Sequence, residues 1–452
     1  MRNIILQPDQ RLRLLLMLGD VVIILGSLFL VILLAVSVKM FIPLDNSNFT
    51  IVSLVLSAIT VFIYYILDLY EVSDPKSFVI ILLSSCLGMV LVMTLYSSLS
   101  YLIIILRLGK FNLLICMLMI WLLTLIWHTS FNKLIKIKPH RILFIGKEKI
   151  IEDIIQYIKD NNSQYYEIVG HWHSHSCNPH LPNLNNFIRD TNADMIVYSV
   201  HSKILKQITN DLITVKFGQK NTIDAYNFYQ HLTCKYPISF PDEFWLLVNA
   251  QKEIFFPTAA ANLKRALDLL FVLLLLPVAV PLFLIAALAI KLDSKGPVLF
   301  IHERLGKNEV PFRLFKLRTM IDNAESFTGP QWALKDDPRI TRVGRILRKL
   351  RIDEVPQLIN VLKGEMSVIG PRPIRRHFAE ILENETPYYR LRFLGKPGLT
   401  GWAQVNHDYA GTNEGHKEKL QYDLFYLMHQ SLLMDIIILL KTIRVLVWAK
   451  GR

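Results

Sequence analysis

Asn262-Leu263-Lys264-Arg265-Ala266-Leu267-Asp268 opens a stretch that continues as Leu269-Leu270-Phe271-Val272-Leu273-Leu274-Leu275-Leu276-Pro277-Val278-Ala279-Val280-Pro281-Leu282-Phe283-Leu284-Ile285-Ala286-Ala287-Leu288-Ala289-Ile290 and closes on Lys291. It decides on which side of a membrane the last third of the chain lies. Proline removes a helical donor and clashes with the preceding turn, so a kink or break is expected at Pro277 and Pro281. A straight span would carry everything after Lys291 across the bilayer. A broken helix would enter and leave on one face. Lys264 and Arg265 flank one end, and Lys291, Lys295, Arg304 and Lys307 the other. Cations at both ends favour the same-side reading, as does the proline pair, because a backbone that turns inside a membrane needs a break. The expectation is a re-entrant membrane helix over 263–291.

Upstream lie further apolar runs: Leu14 to Val38, Ile51 to Leu67, one starting near Phe78, and Phe111 to Trp127. Each approaches the roughly 20 residues that cross a bilayer. The hydrophobic fraction of 52% agrees with membrane spans. Arg2, Arg11 and Arg13 precede the first run, and Lys133, Lys136, Lys138 and Arg141 follow the last. Basic ends around an even number of spans place both ends in the cytoplasm. Residues 1–136 are therefore expected to hold four transmembrane helices, the third ambiguous where it runs on through Tyr101 to Leu106. The net charge of +13 fits positive-inside loops and contact with anionic membrane lipids. No pure basic arm and no binding motif points to nucleic acid. Cys86, Cys116, Cys177 and Cys234 form no CxxC and imply no disulfide framework, as in cytosolic domains. The first run is too long for a signal-peptide core and reads as retained.

Residues 137–250 change character. Arg141 to Gly146 reads as a buried strand entering a turn, Ile150 to Ile158 has helical spacing, and Tyr165 to Trp172 and Asp194 to Val200 read as strands. This alternation predicts a parallel α/β sheet. A lone Gly146 follows the first strand, and Lys147, Glu148 and Lys149 come next. The Gly-rich phosphate fingerprint is missing, which leaves a degenerate Rossmann-like domain. His171, His173, His175 and Cys177, with His180 beyond, alternate as zinc ligands on a strand would. The same stretch ends in Asn178-Pro179 and also reads as a solvated strand end.

Residues 255–452 are polar and basic after the apolar run, with mainly helical character. Their densest chemistry is Arg348-Lys349-Leu350-Arg351-Ile352-Asp353-Glu354, followed by a helical segment to Lys363, then Gly364 and Gly370-Pro371-Arg372-Pro373. Asp353 at a helix start is most often an N-cap. A helix N-terminus also stabilises a phosphoryl group beside such a carboxylate, so the two readings are compatible. Glu354 alongside is costly unless cations or a metal offset the repulsion. Lys316 and Arg318 alternate as they would on one strand face, and two prolines pre-position the Arg372 fork for a phosphate. Asp423 to Trp448 fits either a surface-lying amphipathic helix or one packed on its own domain.

The segment from Leu263 onward resembles the bacterial sugar transferases, the polyprenyl-phosphate hexose-1-phosphate transferases. The residues that carry the resemblance are Lys264 to Asp268, Ser294 to Val298, Arg304-Leu305-Gly306, Phe315 to Met320, Asp337 to Gly344, Arg348 to Pro373, and Lys396 to Val405. Leu317 stands where phenylalanine is usual, an apolar exchange. Four spans plus a Rossmann-like insert are similar to the long form, as in the undecaprenyl-phosphate glucose or galactose phosphotransferases. The resemblance implies a UDP-sugar donor, an undecaprenyl phosphate acceptor and Mg2+. Asp353 would attack the β-phosphorus, release UMP and hold a phosphosugar, and Glu354 with Asp353 would bind the metal. Lys316, Arg318, Arg348 and Arg372 are the candidates to neutralise phosphate charge. It further implies initiation of exopolysaccharide, capsule or O-antigen synthesis at the inner membrane with the soluble domains in the cytoplasm. Trp402 and Gln404 are candidates to contact a uracil, a membrane-interface tryptophan being equally reasonable. The long form leaves surface for a homodimer.

Two rival functions are weighed. A membrane-anchored nucleotide-sugar epimerase or dehydratase needs the Gly-rich turn and a Tyr-x-x-x-Lys pair in the middle domain, and the turn is missing. A non-enzymatic membrane scaffold would use Asp353 only as a cap and would release no UMP.

Overall fold

The computed structural model describes residues 8–37, 46–70, 78–103, 106, 110–134, 139–146, 148–161, 165–172, 190–199, 221–238, 258–322, 324, 337–386, 388–407 and 413–447. They cluster into two compact units, one built mainly on residues 1–146 and the other mainly on 223–452.

The first unit begins with four apolar helices: α1 (Pro8–Ser37), α2 (Asn46–Ile66), α3 (Phe78–Leu102) and α4 (Lys110–Leu134). Each contains a stretch long and apolar enough to cross a membrane. The third expected span thus ends at Leu102, and the fourth begins afresh at Lys110. Leu18, Val22, Leu54, Leu83 and Leu118 face outward, as side chains in contact with lipid do, while Ile24, Leu56, Val92 and Ile120 fill the interior. Small residues allow close approach: a Cβ on Gly19 would lie 2.3 Å from the Trp127 ring. Among the described residues of this bundle, the Asp20 carboxylate is fully buried. Asp20 accepts from the Tyr70 hydroxyl at 2.7 Å and meets His128 Nε2 at 3.0 Å, which ties α1 to α4 and to the end of α2. A carboxylate among apolar helices needs such partners.

Strands β1 (His140–Ile145), β2 (Tyr166–Trp172), β3 (Met195–Tyr198) and β4 (Asn221–Asp224), with helix α5 (Lys149–Asp160), follow the expected α/β alternation. The sheet order is β2-β1-β3-β4, and β1 pairs with β2 in parallel. His171 Nε2 donates to the Gly146 carbonyl at 2.6 Å, so this ring is engaged at the strand-end turn. His173, His175, Cys177 and His180, and the expected boundary near residue 250, lie outside the described residues.

In the second unit, α6 (Ala225–Thr233) starts on an Asp224 cap and ends at Cys234. The run that opens the sequence analysis is one helix, α7 (Thr258–Asp293), so the break expected at Pro277 and Pro281 is not seen: both prolines lie inside a continuous helix, as a long apolar helix can tolerate. After it come the hairpin β5 (Leu299–Leu305) and β6 (Pro311–Leu317), α8 (Arg342–Lys349), a 3-10 helix (Ile352–Gln357), α9 (Leu358–Lys363), β7 (Ser367–Ile369), α10 (Arg376–Glu385), β8 (Gly398–Thr400), α11 (Trp402–Asn406), α12 (Asn413–Met428) and α13 (Leu432–Val447). The mainly helical domain is as expected. The C-terminal stretch is two helices, not one. Ile438 of α13 is fully buried while Leu433 and Ile436 are exposed, so this helix packs one side on its own domain.

Both ends of α7 are tied to this domain. Near its start, Arg265 donates to the carbonyls of Val361 and Leu362 at 2.5 and 2.8 Å, completing the C-terminus of α9. Asp268 accepts from Ser367 Oγ at 2.8 Å and Val368 N at 3.0 Å. Lys264 reaches Asp435 on α13 at 2.6 Å. At its other end, Asp293 accepts from Val343 N at 3.1 Å, and Ala286 and Ile290 pack with Leu317 and Leu347. Between them Leu273, Leu274, Val278, Leu284 and Ile285 are exposed.

Candidate active site

The paired carboxylates are placed by a left-handed joint. Helix α8 ends at Lys349 with Leu350 as its cap, and Arg351 then takes φ 57°, an uncommon conformation for a residue with a Cβ. The chain turns there into the 3-10 helix that carries Asp353 and Glu354, both buried. Pro356 is tolerated because the first turn of a helix leaves its N–H groups unpaired anyway. Gly364, at φ 82°, terminates α9 with its N–H on the Val361 carbonyl.

Asp353 is therefore not an N-cap, contrary to the commonest reading of its position. It lies inside the 3-10 helix, whose cap position is Arg351, with no side-chain cap bond. Among the described residues it pairs with Lys316 Nζ, at 3.8 Å from Oδ2. Glu354 is surrounded more closely: Arg372 Nη2 at 2.6 Å, Lys316 Nζ at 3.3 Å and Arg351 Nη1 at 3.5 Å, all on Oε1.

This asymmetry separates the two acids. Burial alone would raise Glu354, but Arg372, Lys316 and Arg351 outweigh it and hold the carboxyl well below its ordinary range. Asp353 goes the other way. Burial raises it, Lys316 pulls it down, and the charge of Glu354 pushes it up again, with a net rise. Burial also lowers the Lys316 ammonium against the pull of Glu354. The result is one anion neutralised by arginine next to a more basic carboxylate, an arrangement suited to a nucleophile.

Each cation has a positioning partner. Lys316 is the penultimate residue of β6, and Asn360 fixes that strand to the helix behind the carboxylates. Asn360 Oδ1 accepts from Phe315 N at 3.2 Å, and its Nδ2 donates to the Arg313 carbonyl and to Glu365 at 2.7 Å each. Arg348 Nε donates to Thr319 Oγ1 at 2.9 Å, with Asp353 among the charges acting on it. The Gly370-Pro371-Arg372-Pro373 turn is gripped by two arginines. Arg392 Nη2 donates to the Arg372 carbonyl at 3.0 Å, and Arg304 Nη1 to the Pro373 carbonyl at 3.3 Å. Arg392 is itself held by Asp423 at 2.8 Å, both fully desolvated.

Of the expected phosphate-binding cations, Lys316, Arg348 and Arg372 converge on the carboxylate pair. Arg318 does not. Its guanidinium donates to the carbonyls of Lys295 and Ser294 at 2.8 and 2.9 Å, closing the end of α7. The cause is Gly296 at φ 118°, where a Cβ would sit 2.0 Å from Arg318 Nη1. Trp402 is also committed elsewhere: its indole N–H donates to the Cys234 carbonyl at 3.0 Å, its ring stacks on Phe425, and Lys441 covers it. Gln404 Nε2 donates to the Leu399 carbonyl at 3.2 Å. Neither Asn360 nor the Arg392–Asp423 pair was singled out in the sequence. An asparagine inside an apolar helical segment, Leu358 to Leu362, was the available signal for the first.

A membrane-anchored domain with a buried carboxylate pair ringed by lysine and arginine belongs to the class built to handle phosphate esters. The sequence profile of the bacterial sugar transferases matches residues 259–449. Over 190 residues the chain is 44% identical to the UDP-glucose:undecaprenyl-phosphate glucose-1-phosphate transferase of Caulobacter vibrioides, covering 41% of this chain and 71% of that protein. It is 41% identical over 186 residues to the exopolysaccharide production protein PSS of Rhizobium leguminosarum bv. phaseoli, covering 40% of this chain and 93% of that one. It is 45% identical over 191 residues to the UDP-N-acetylgalactosamine-undecaprenyl-phosphate N-acetylgalactosaminephosphotransferase of Aeromonas hydrophila, where the match spans 42% of this chain and only 45% of the relative. The chain belongs to the bacterial sugar transferase family.

Proposed function

We propose that this protein transfers a hexose 1-phosphate from a UDP-sugar to undecaprenyl phosphate, as the first step of a surface polysaccharide. The observation that carries the reading is the division of labour between Glu354, held anionic by Arg372 and Lys316, and Asp353, left the more basic of the two. An Asp353 oxygen attacks the β-phosphorus of the donor. The phosphoanhydride bond breaks, UMP leaves, and an acyl-phosphate holds the phosphosugar. A phosphate oxygen of the lipid then attacks the same phosphorus. The diphosphate bond forms and the carboxylate is regenerated. Lys316, Arg348 and Arg372 stabilise charge on the transferring phosphoryl oxygens.

Two adjacent carboxylates are hard oxygen donors, and among the described residues no third acid or histidine joins them in a cage. That set fits Mg2+, which binds through one or two carboxylates and substrate phosphates. Asp353 and Glu354 would hold it, and it would supply charge neutralisation at the diphosphate.

The attachment of both ends of α7 to one domain supports the re-entrant reading, with the exposed leucines between them dipping into the bilayer. That domain then stays on one face, and the basic residues before the first span support a cytoplasmic side, where nucleotide sugars are made. The test is a panel of UDP-sugars with undecaprenyl phosphate, scored by UMP release. One productive sugar supports the reading. No release from any of them, with folded protein, rejects it in favour of a scaffold.

A further inference from the structure

His302 lies outside the machinery described so far. It sits in the middle of β5 opposite Leu314, and one step along the strand Phe300 lies opposite Lys316. Directly opposed residues share a face of an antiparallel pair, as do residues two apart on one strand. His302 and Lys316 are therefore diagonal neighbours on one face, about 7–8 Å apart and within reach of long side chains.

The ring is held in one state. Arg304 Nε donates to His302 Nε2 at 2.7 Å, so Nε2 carries the lone pair and the neutral ring keeps its proton on Nδ1. Burial, and then the charges of Arg304, Arg375 and Lys316, push its pKa down to about 2, so it stays neutral at working pH. Phe300 lies against it with ring centroids 5.0 Å apart. Nδ1 is buried and has no hydrogen-bond partner among the described residues. A buried donor with no acceptor is a standing cost and calls for an explanation, of which a bound oxygen atom of another molecule is one. The three surrounding cations select an anionic oxygen as that acceptor.

We propose that His302 contacts substrate, its Nδ1–H donating to a phosphate oxygen bound beside Lys316. The inference rests on the phosphosugar-transfer reading. The oxygen belongs either to the nucleotide diphosphate or to the lipid phosphate. The competing role is positioning alone, since Arg304 also holds the Pro373 carbonyl next to Arg372.

The test measures binding of two probes, UDP and farnesyl phosphate, to the full chain in detergent by calorimetry. Wild type is compared with His302→Phe, Arg304→Met and the double variant. His302→Phe is expected to weaken at least one probe about tenfold or more, the loss of a hydrogen bond to a charged group. The double variant is expected to bind that probe more weakly than Arg304→Met, because a direct contact is still lost once Arg304 is gone, although two touching side chains need not add in full. Unchanged binding of both probes by His302→Phe overturns the proposal, and so does a double variant no weaker than Arg304→Met. Should His302→Phe fail to fold, nitrogen-15 imidazole resonances of the wild type serve instead, with His302 assigned by its absence in His302→Gln. The Nδ1–H signal is expected to move on adding one probe, and no movement with either overturns the contact. UMP release by the wild type is scored separately. Its absence, with the probe effects intact, counts against the transfer reading and not against the contact.

Discussion

Arg372 meets Glu354 at 2.6 Å, while the adjacent Asp353 meets its cation, Lys316, only at 3.8 Å. Two neighbouring carboxylates in one buried site cannot be equivalent, and the arginine fork decides which of them stays the anion. The residue it leaves is the one whose carboxyl is raised.

That relation fixes the pH dependence of the first half-reaction. In the proposed reaction Asp353 attacks as the carboxylate, and its carboxyl is raised from the ordinary value of about 3.9. UMP release measured against pH is expected to fall on the acid side through a limb above that value. Arg372→Met is expected to lower UMP release at neutral pH at least about a hundredfold, the scale of one lost electrostatic stabiliser.

Asp353→Asn is expected to abolish turnover and to stabilise the fold. A group raised on folding contributes stability below its unfolded pKa and loses it as pH rises through the folded value, so at neutral pH the ionised Asp353 is a burden. Removing the charge at pH 7 should raise the melting temperature. At acid pH, below the ordinary carboxylate range, the gain should vanish. A lower melting temperature for the variant at pH 7 would count against the burial of an ionised Asp353.

Gly344→Ala is expected to damage the site from outside it. Its Cβ would lie 2.1 Å from the Thr319 carbonyl oxygen, and Thr319 Oγ1 is the acceptor that holds Arg348. Overpacking of this kind costs about 1–3 kcal/mol. The expected result is a lower melting temperature together with reduced UMP release.

Asp423→Ala leaves Arg392 buried without its anion. Breaking such a pair costs about 3–5 kcal/mol. Because Arg392 also holds the Arg372 carbonyl, a preparation that remains folded should show weaker UDP binding as well.

Much of this fold was legible because its signals are local. The apolar runs gave four N-terminal helices, and the strand pattern around Arg141 to Gly146 gave the start of the α/β sheet. What the sequence could not show was partner choice across long separations. Arg318 alternates with Lys316 on paper, yet the strand ends at Leu317 and Gly296 lets the guanidinium close a helix end. Trp402 reads in the sequence as a candidate to contact a uracil or to sit at a membrane interface, and its indole N–H instead meets the carbonyl of Cys234, 168 positions away. Asp353 looked like a cap because a cap needs only local context. Its place inside the 3-10 helix depends on the left-handed turn at Arg351, an arginine where glycine or asparagine would have announced it.

The central claim is a bond between one side chain and a phosphosugar. Wild-type protein incubated with its productive UDP-sugar in the absence of lipid phosphate, then quenched and mapped by mass spectrometry, is expected to carry one hexose phosphate on the peptide containing Asp353, with no such adduct in Asp353→Asn. UMP released while Asp353 remains unmodified, or an adduct on any other residue, would contradict it.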